Sequence, residues 1–117
     1  MPIQLKIINN NESYSHVALS GSFDCEGVAE VFEEFRRNVT DRGFSAIVDM
    51  TEMDFISSLG LRWLIASAQE LMRHNARLIL YNPQPFVIDE IRAAGLNREC
   101  PVTNDFGEAI RLATEQR

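Results

Sequence analysis

The apolar residues of this chain change their period at Asp24, and that change narrows the folds open to it. Before it, "IQLKII" (residues 3–8) and "YSHVALSGSF" (14–23) alternate on either side of "NNNES". Period-two runs flanking an asparagine-rich turn predict an antiparallel hairpin. After it, Val28, Val31, Phe32, Phe35 and Val39 recur at three- and four-residue steps, with Glu26, Glu30, Glu33 and Glu34 early and Arg36, Arg37 and Arg42 late. This pattern predicts an amphipathic helix whose charges follow its dipole, with Asp24 as N-cap and Gly43 as the stop.

From there strand-like and helical segments alternate. "FSAIVDM" (44–50) and "ARLILYN" (76–82) are short apolar runs suited to strands covered on both faces. Between them Leu61, Leu64, Ile65, Ala68, Leu71 and Met72 form a second helical stripe ending near His74 and Asn75. After the loop "NPQP", the segment "FVIDEIRAAGL" predicts a short helix with Val87, Ile88, Ile91 and Ala94 inward and Gly95 as its stop. A weak strand near Val102 and a helix beginning after Asp105 complete the chain. The order predicts an α/β fold: a mostly parallel central sheet with right-handed crossovers, an antiparallel N-terminal edge strand and about four flanking helices. At 117 residues, without repeats, linkers or low-complexity tracts, residues 1–117 read as a single domain.

Charge and composition exclude several functions. Seventeen acidic residues against eleven basic give a net charge of -6, which opposes nucleic acid and anionic membranes and favours a protein partner. No apolar run approaches the roughly 20 residues of a membrane span, so no direct membrane insertion is expected. The N-terminus "MPIQLKIINN" has no basic segment followed by an apolar stretch, so the chain reads as cytoplasmic. Cys25 and Cys100 read as free thiols, since two cysteines make no disulfide framework.

The chemistry concentrates in "FISSLGLRWL" (55–64), where a strand region passes into the second helix through two adjacent serines. The ordinary account is that one serine caps the first turn, which exposes unpaired N–H groups, and that Gly60 allows close packing. On a helical projection Trp63 falls opposite the Leu61–Ala68 stripe, with Ser67, Glu70 and His74. It is either an exposed binding anchor or is covered by a neighbouring helix or the C-terminal segment. Arg62 either is solvated, pairs with a partner carboxylate or meets a phosphate on Ser58.

Three blocks together resemble the STAS domain in order and spacing: "GSFD" (21–24), "AIVDMTEMDFISSLGLRWL" (46–64) and "LILYNPQPFVIDEIRAAGL" (78–96). That family comprises anti-sigma-factor antagonists and the cytoplasmic tails of sulfate transporters. The resemblance implies a protein-binding module without catalytic residues, cofactor or metal, regulated by reversible phosphorylation. It places the phosphorylated hydroxyl on Ser58, with Ser57 as the second candidate, and the facing acid on Asp24. The implied partner surface is Asp24, Ser57, Ser58, Leu59, Gly60, Arg62 and Trp63. The implied partners are an anti-sigma factor acting as a serine kinase and a metal-dependent serine phosphatase. Four positions depart from the antagonist pattern: Ser22 replaces glutamate, Ser57 aspartate, Leu59 a small residue and Arg62 glycine. A second reading keeps the fold without the switch, as a docking subunit of a transport or signalling complex.

Other chemistries find less support. His16 and His74 lie far from any nucleophile in sequence, "SSLGL" is not a Gly-x-Ser-x-Gly elbow, and no phosphate-binding glycine loop occurs. Asp24, Asp49 and Asp54 suit caps and turns better than metal coordination. Cys25, at a helix start, is a weak redox candidate.

Overall fold

The computed structural model describes residues 2–115. Its elements run β1 (Gln4–Ile7), β2 (Ser15–Phe23), α1 (Cys25–Asn38), β3 (Ala46–Asp49), β4 (Met53–Ile56), α2 (Ser58–Met72), β5 (Leu78–Tyr81), α3 (Pro85–Ala93), α4 (Leu96–Glu99), β6 (Val102–Thr103) and α5 (Phe106–Thr114). The sheet has the order β1-β2-β3-β5-β6, with β4 pairing β2 beyond the end of β3. As expected, β1 is the antiparallel edge and every other pairing is parallel.

The "NNNES" turn closes on its own side chains: Asn11 Oδ1 accepts from the backbone N–H groups of Ser13 and Tyr14. Arg42 holds that loop from the far side, donating from Nε to Ser15 Oγ at 2.7 Å and from Nη2 to the carbonyls of Asn11 and Tyr14. The first helix ends earlier than the glycine suggested. It stops at Asn38, and a 3-10 turn over Thr40–Arg42 brings the chain to Gly43, whose φ of 72° closes that turn.

Strands β3 and β5 are buried on both faces, which is why they read as continuous apolar runs. Val48, Leu78 and Leu80 join Val17, Leu19 and Phe23 beneath α1, α2, α3 and α4, whereas Ile47 and Ile79 face Ala109 and Ala113 of α5. Among the described residues four helices thus lie on one face and α5 on the other. Burial pushes the thiol of Cys100 up to about 12, while Cys25 is exposed; both are free. Two elements escape the sequence pattern, β4 and α4. Among the described residues the second brings the α-helix count to five, because Gly95 at φ 75° follows the end of α3 and Leu96 starts another turn at once.

Candidate functional site

In a parallel sheet the chain leaves every strand at the same edge and enters the following helix there. That edge gathers the end of β2 with Asp24, the end of β4 with Ser57 and Ser58, and the end of β5 with Pro85 and Phe86. Residues distant in sequence meet here by topology.

The two serines occupy different environments. Ser57 is the N-cap of α2: its Oγ accepts from Gly60 N–H at 3.2 Å, and its own N–H donates to the Phe23 carbonyl at 3.1 Å. Its hydroxyl also lies 3.4 Å from that carbonyl, as a donor. This residue therefore ties the start of α2 to the end of β2. Ser58 is the first helical residue, exposed, and its hydroxyl has no hydrogen-bond partner among the described residues. The first intrahelical bond runs from Leu61 N–H to the Ser57 carbonyl at 2.9 Å, so the N–H groups of Ser58 and Leu59 lie ahead of it.

Gly60 makes the tight join possible. A Cβ there would come within 2.5 Å of the Phe23 carbonyl oxygen and 2.8 Å of the Phe23 ring, so no larger residue fits without moving the helix. The facing loop is built likewise. Asp24 caps α1 by accepting from Gly27 N–H at 2.8 Å, and a Cβ on Gly27 would meet the Ser22 carbonyl oxygen at 2.6 Å. Ser22 donates to Asp54 Oδ1 at 3.0 Å, linking the ends of β2 and β4.

Leu59 and Arg62 are exposed, the first in the turn that carries Ser58, the second one turn later. Trp63 is placed differently. The face it shares with Ser67 is covered by α1, which resolves the two readings of its exposure in favour of the covered one. Its ring is edge-on to Phe32 at 6.2 Å and to Phe35 at 6.3 Å, and Ser67 Oγ donates to the Trp63 carbonyl. The indole N–H is buried and has no partner among the described residues. The three aspartates do not converge: Asp49 accepts from Thr51, Asp24 caps α1 and Asp54 accepts from Ser22. Among the described residues no cluster of three His, Cys, Asp or Glu side chains is arranged to hold a metal ion, and no helix is long and apolar enough to cross a membrane.

Sequence reasoning missed Phe55 and Phe86. Both are exposed at this edge, and their rings stack at 6.3 Å with 23° between planes. The only sequence signal was that Phe86 lies outside the expected inward set Val87, Ile88, Ile91 and Ala94, of which Ala94 proves to be exposed because α3 ends at Ala93.

A family model described as the STAS domain matches residues 3–109. A search of curated protein sequences finds no match. Among solved structures, an anti-sigma factor antagonist from Mycobacterium paratuberculosis superposes with a TM-score of 0.80 at 20% identity, covering 97% of this chain and 95% of that one. The anti-sigma factor antagonist SpoIIAA in its unphosphorylated form gives 0.70 at 23% identity, with 93% of each chain covered. The Bacillus cell fate determinant SpoIIAA in its phosphorylated form gives 0.62 at 21% identity, covering 93% of this chain and 97% of that one. At these identities the likeness establishes the shared fold.

Proposed function

The chain belongs to the STAS domain family, and on that premise we propose that it is a non-catalytic protein-binding module of the anti-sigma-factor antagonist kind, switched by phosphorylation of Ser58. In this reading the unmodified form sequesters an anti-sigma factor that is itself a serine kinase, which frees a sigma factor or similar target. The kinase phosphorylates Ser58 and releases the module, and a metal-dependent serine phosphatase restores it. The observation that carries the reading is the division of labour between adjacent hydroxyls. Ser57 is consumed by the cap, while Ser58 stands exposed at the helix start, its hydroxyl without a partner among the described residues.

That position suits a reversible anion. A phosphoserine adds about -1.5 to -2 charge and three acceptor oxygens. The N–H groups ahead of the first helical bond and the dipole of α2 favour negative charge, so the domain tolerates the modification. A partner seated over the turn does not, since it must bury or face a dianion beside Asp24, at a cost of several kcal/mol in close interfaces. Asp24, Leu59 and Arg62 form the contact surface around Ser58, Ser57 and Gly60 fix its shape, and Trp63 supports it from beneath by holding α2 against α1.

The test is direct. Incubation with the cognate kinase and ATP, followed by peptide mass spectrometry, is expected to find one added phosphate, on Ser58. Phosphate on neither serine would sink the switch and leave the constitutive docking module, a reading favoured by Ser57 standing where the antagonists carry an aspartate.

A further inference from the structure

The edge that carries Ser58 also carries an apolar feature that the serine turn does not explain. Phe55 of β4 is 41% exposed and Phe86 in the first turn of α3 is 51% exposed, yet each ring packs on the other. A stacked pair keeps its shape in water, so it offers a flat apolar surface with little side-chain freedom left to lose on binding. Leu59, 37% exposed, adds a third apolar group immediately after Ser58. Aromatic groups of this kind dominate binding energy where they are found in interfaces, and contiguous exposed apolar surface marks a docking site.

The charges on the elements that meet at this edge say what docks. The N-cap Asp24, strand β4 and the first seven residues of α1, α2 and α3 include Asp24, Glu26, Asp54 and Asp89 among their acids and Arg62 as their base, with Arg92 following at the far end of α3. An apolar centre with an anionic rim is complementary to an apolar centre with a cationic rim. A second copy of this chain, with net charge -6, would oppose one anionic rim to another.

We propose that the Phe55–Phe86 stack is the apolar anchor of the docking surface, and that its occupant is a protein presenting an aliphatic or aromatic cluster bordered by arginine or lysine. The proposal rests on reading the Ser57-Ser58 turn as a docking surface, and holds whether or not Ser58 is phosphorylated. It adds to that reading which side chains anchor the partner and which charge the partner's face bears. Ser58 lies between Phe55 and Leu59 in sequence, so a phosphate there would stand among the apolar contacts.

The experiment replaces Phe86 with p-benzoylphenylalanine in cells, irradiates, identifies the adduct and then purifies the cross-linked partner for binding measurements. The expected adduct is with a different polypeptide, through a segment flanked by lysine or arginine. Phe55→Ser and Phe86→Ser are each expected to weaken binding at least about tenfold, with Phe44→Ser, before the opposite end of β3, leaving it unchanged. Raising sodium chloride from about 50 to about 500 mM is expected to weaken binding further, as screening of complementary rims requires. Far-UV circular dichroism keeps loss of folding apart from loss of contact, and the salt arm uses the unaltered chain. No adduct, an adduct only with a second copy, unchanged affinity in both phenylalanine variants, or affinity indifferent to salt would each overturn the proposal. If Ser58→Asp binds as tightly as the unaltered chain while the phenylalanine variants fail, the phosphorylation switch falls and the anchor stands; the converse pattern removes the anchor and keeps the switch.

Discussion

At the scale of single residues, two adjacent serines differ in what the fold asks of them. Ser57 Oγ satisfies the Gly60 N–H and Ser57 N–H is bonded to the Phe23 carbonyl, whereas the Ser58 hydroxyl bonds to nothing among the described residues. Removing the first hydroxyl strips a cap, which typically costs about 1 kcal/mol. Removing the second strips an exposed group, and such changes stay within about 0.5 kcal/mol. Urea denaturation of Ser57→Ala and Ser58→Ala is therefore expected to lower the midpoint clearly in the first and hardly in the second. Equal losses would show that both hydroxyls support the fold and that Ser58 is not spare.

At the scale of elements, α2 is held from two directions: at its start by β2 through Ser57, and along its length by α1 through Trp63. The indole makes two edge-on aromatic contacts, each worth about 0.5–1.5 kcal/mol beyond burial, but its N–H is unpartnered. Trp63→Ala is expected to destabilise by about 3 kcal/mol, in the range for large-to-small core changes. Trp63→Phe is expected to lose far less, because it keeps an aromatic ring and removes the orphaned donor. Chemical denaturation of both variants checks the pair, and a large loss in Trp63→Phe would mean that the N–H is satisfied in solution. The elements also show where sequence patterns suffice. The hairpin, α1, α2, β3, β5, α3 and α5 were legible because each carries apolar residues at its own period, although burial does not follow throughout: β1 is mostly exposed, and Met72 and Ala94, expected inward, are exposed. Strand β4 was not legible, because the register of its pairing with β2 shifts between Gly21 and Ser22, leaving Asp54 and Phe55 both exposed in place of a clean alternation. That one serine caps the turn was legible from capping chemistry, but which of the two it is was not; the family resemblance placed the outward hydroxyl on Ser58, and the cap is Ser57. The stacking of Phe55 on Phe86 was not legible, since it joins two residues thirty-one positions apart (86 − 55) that only the topology brings together.

At the scale of the whole molecule, helix α5 on the second face creates a sensitivity to acid. His16 is buried under Phe106, with ring centroids 5.1 Å apart, and its Nε2 has no partner among the described residues. Burial holds the imidazole below its ordinary 6.5, against a smaller opposing pull from Asp49. The unfolded chain therefore takes up a proton near that ordinary value while the folded chain takes it up only at lower pH, so stability falls as pH drops below about 6.5 and is restored above it. Between about pH 7.5 and 5.5 the unaltered chain is expected to lose more stability than His16→Gln, with urea midpoints as the readout; parallel losses would place the acid sensitivity elsewhere. The larger consequence of the architecture is that one edge of the sheet collects the serine turn, the acidic loop and the aromatic pair, so the proposed phosphate on Ser58 would change the character of the whole proposed docking face. The measurement that bears most directly on this account is the affinity of the cognate kinase for three forms of the chain: unmodified, carrying phosphoserine at position 58 installed during translation, and Ser58→Ala. Phosphoserine is expected to weaken binding at least about tenfold, and alanine to leave it within about threefold of the unmodified chain; equal affinities for all three would contradict a switch at Ser58.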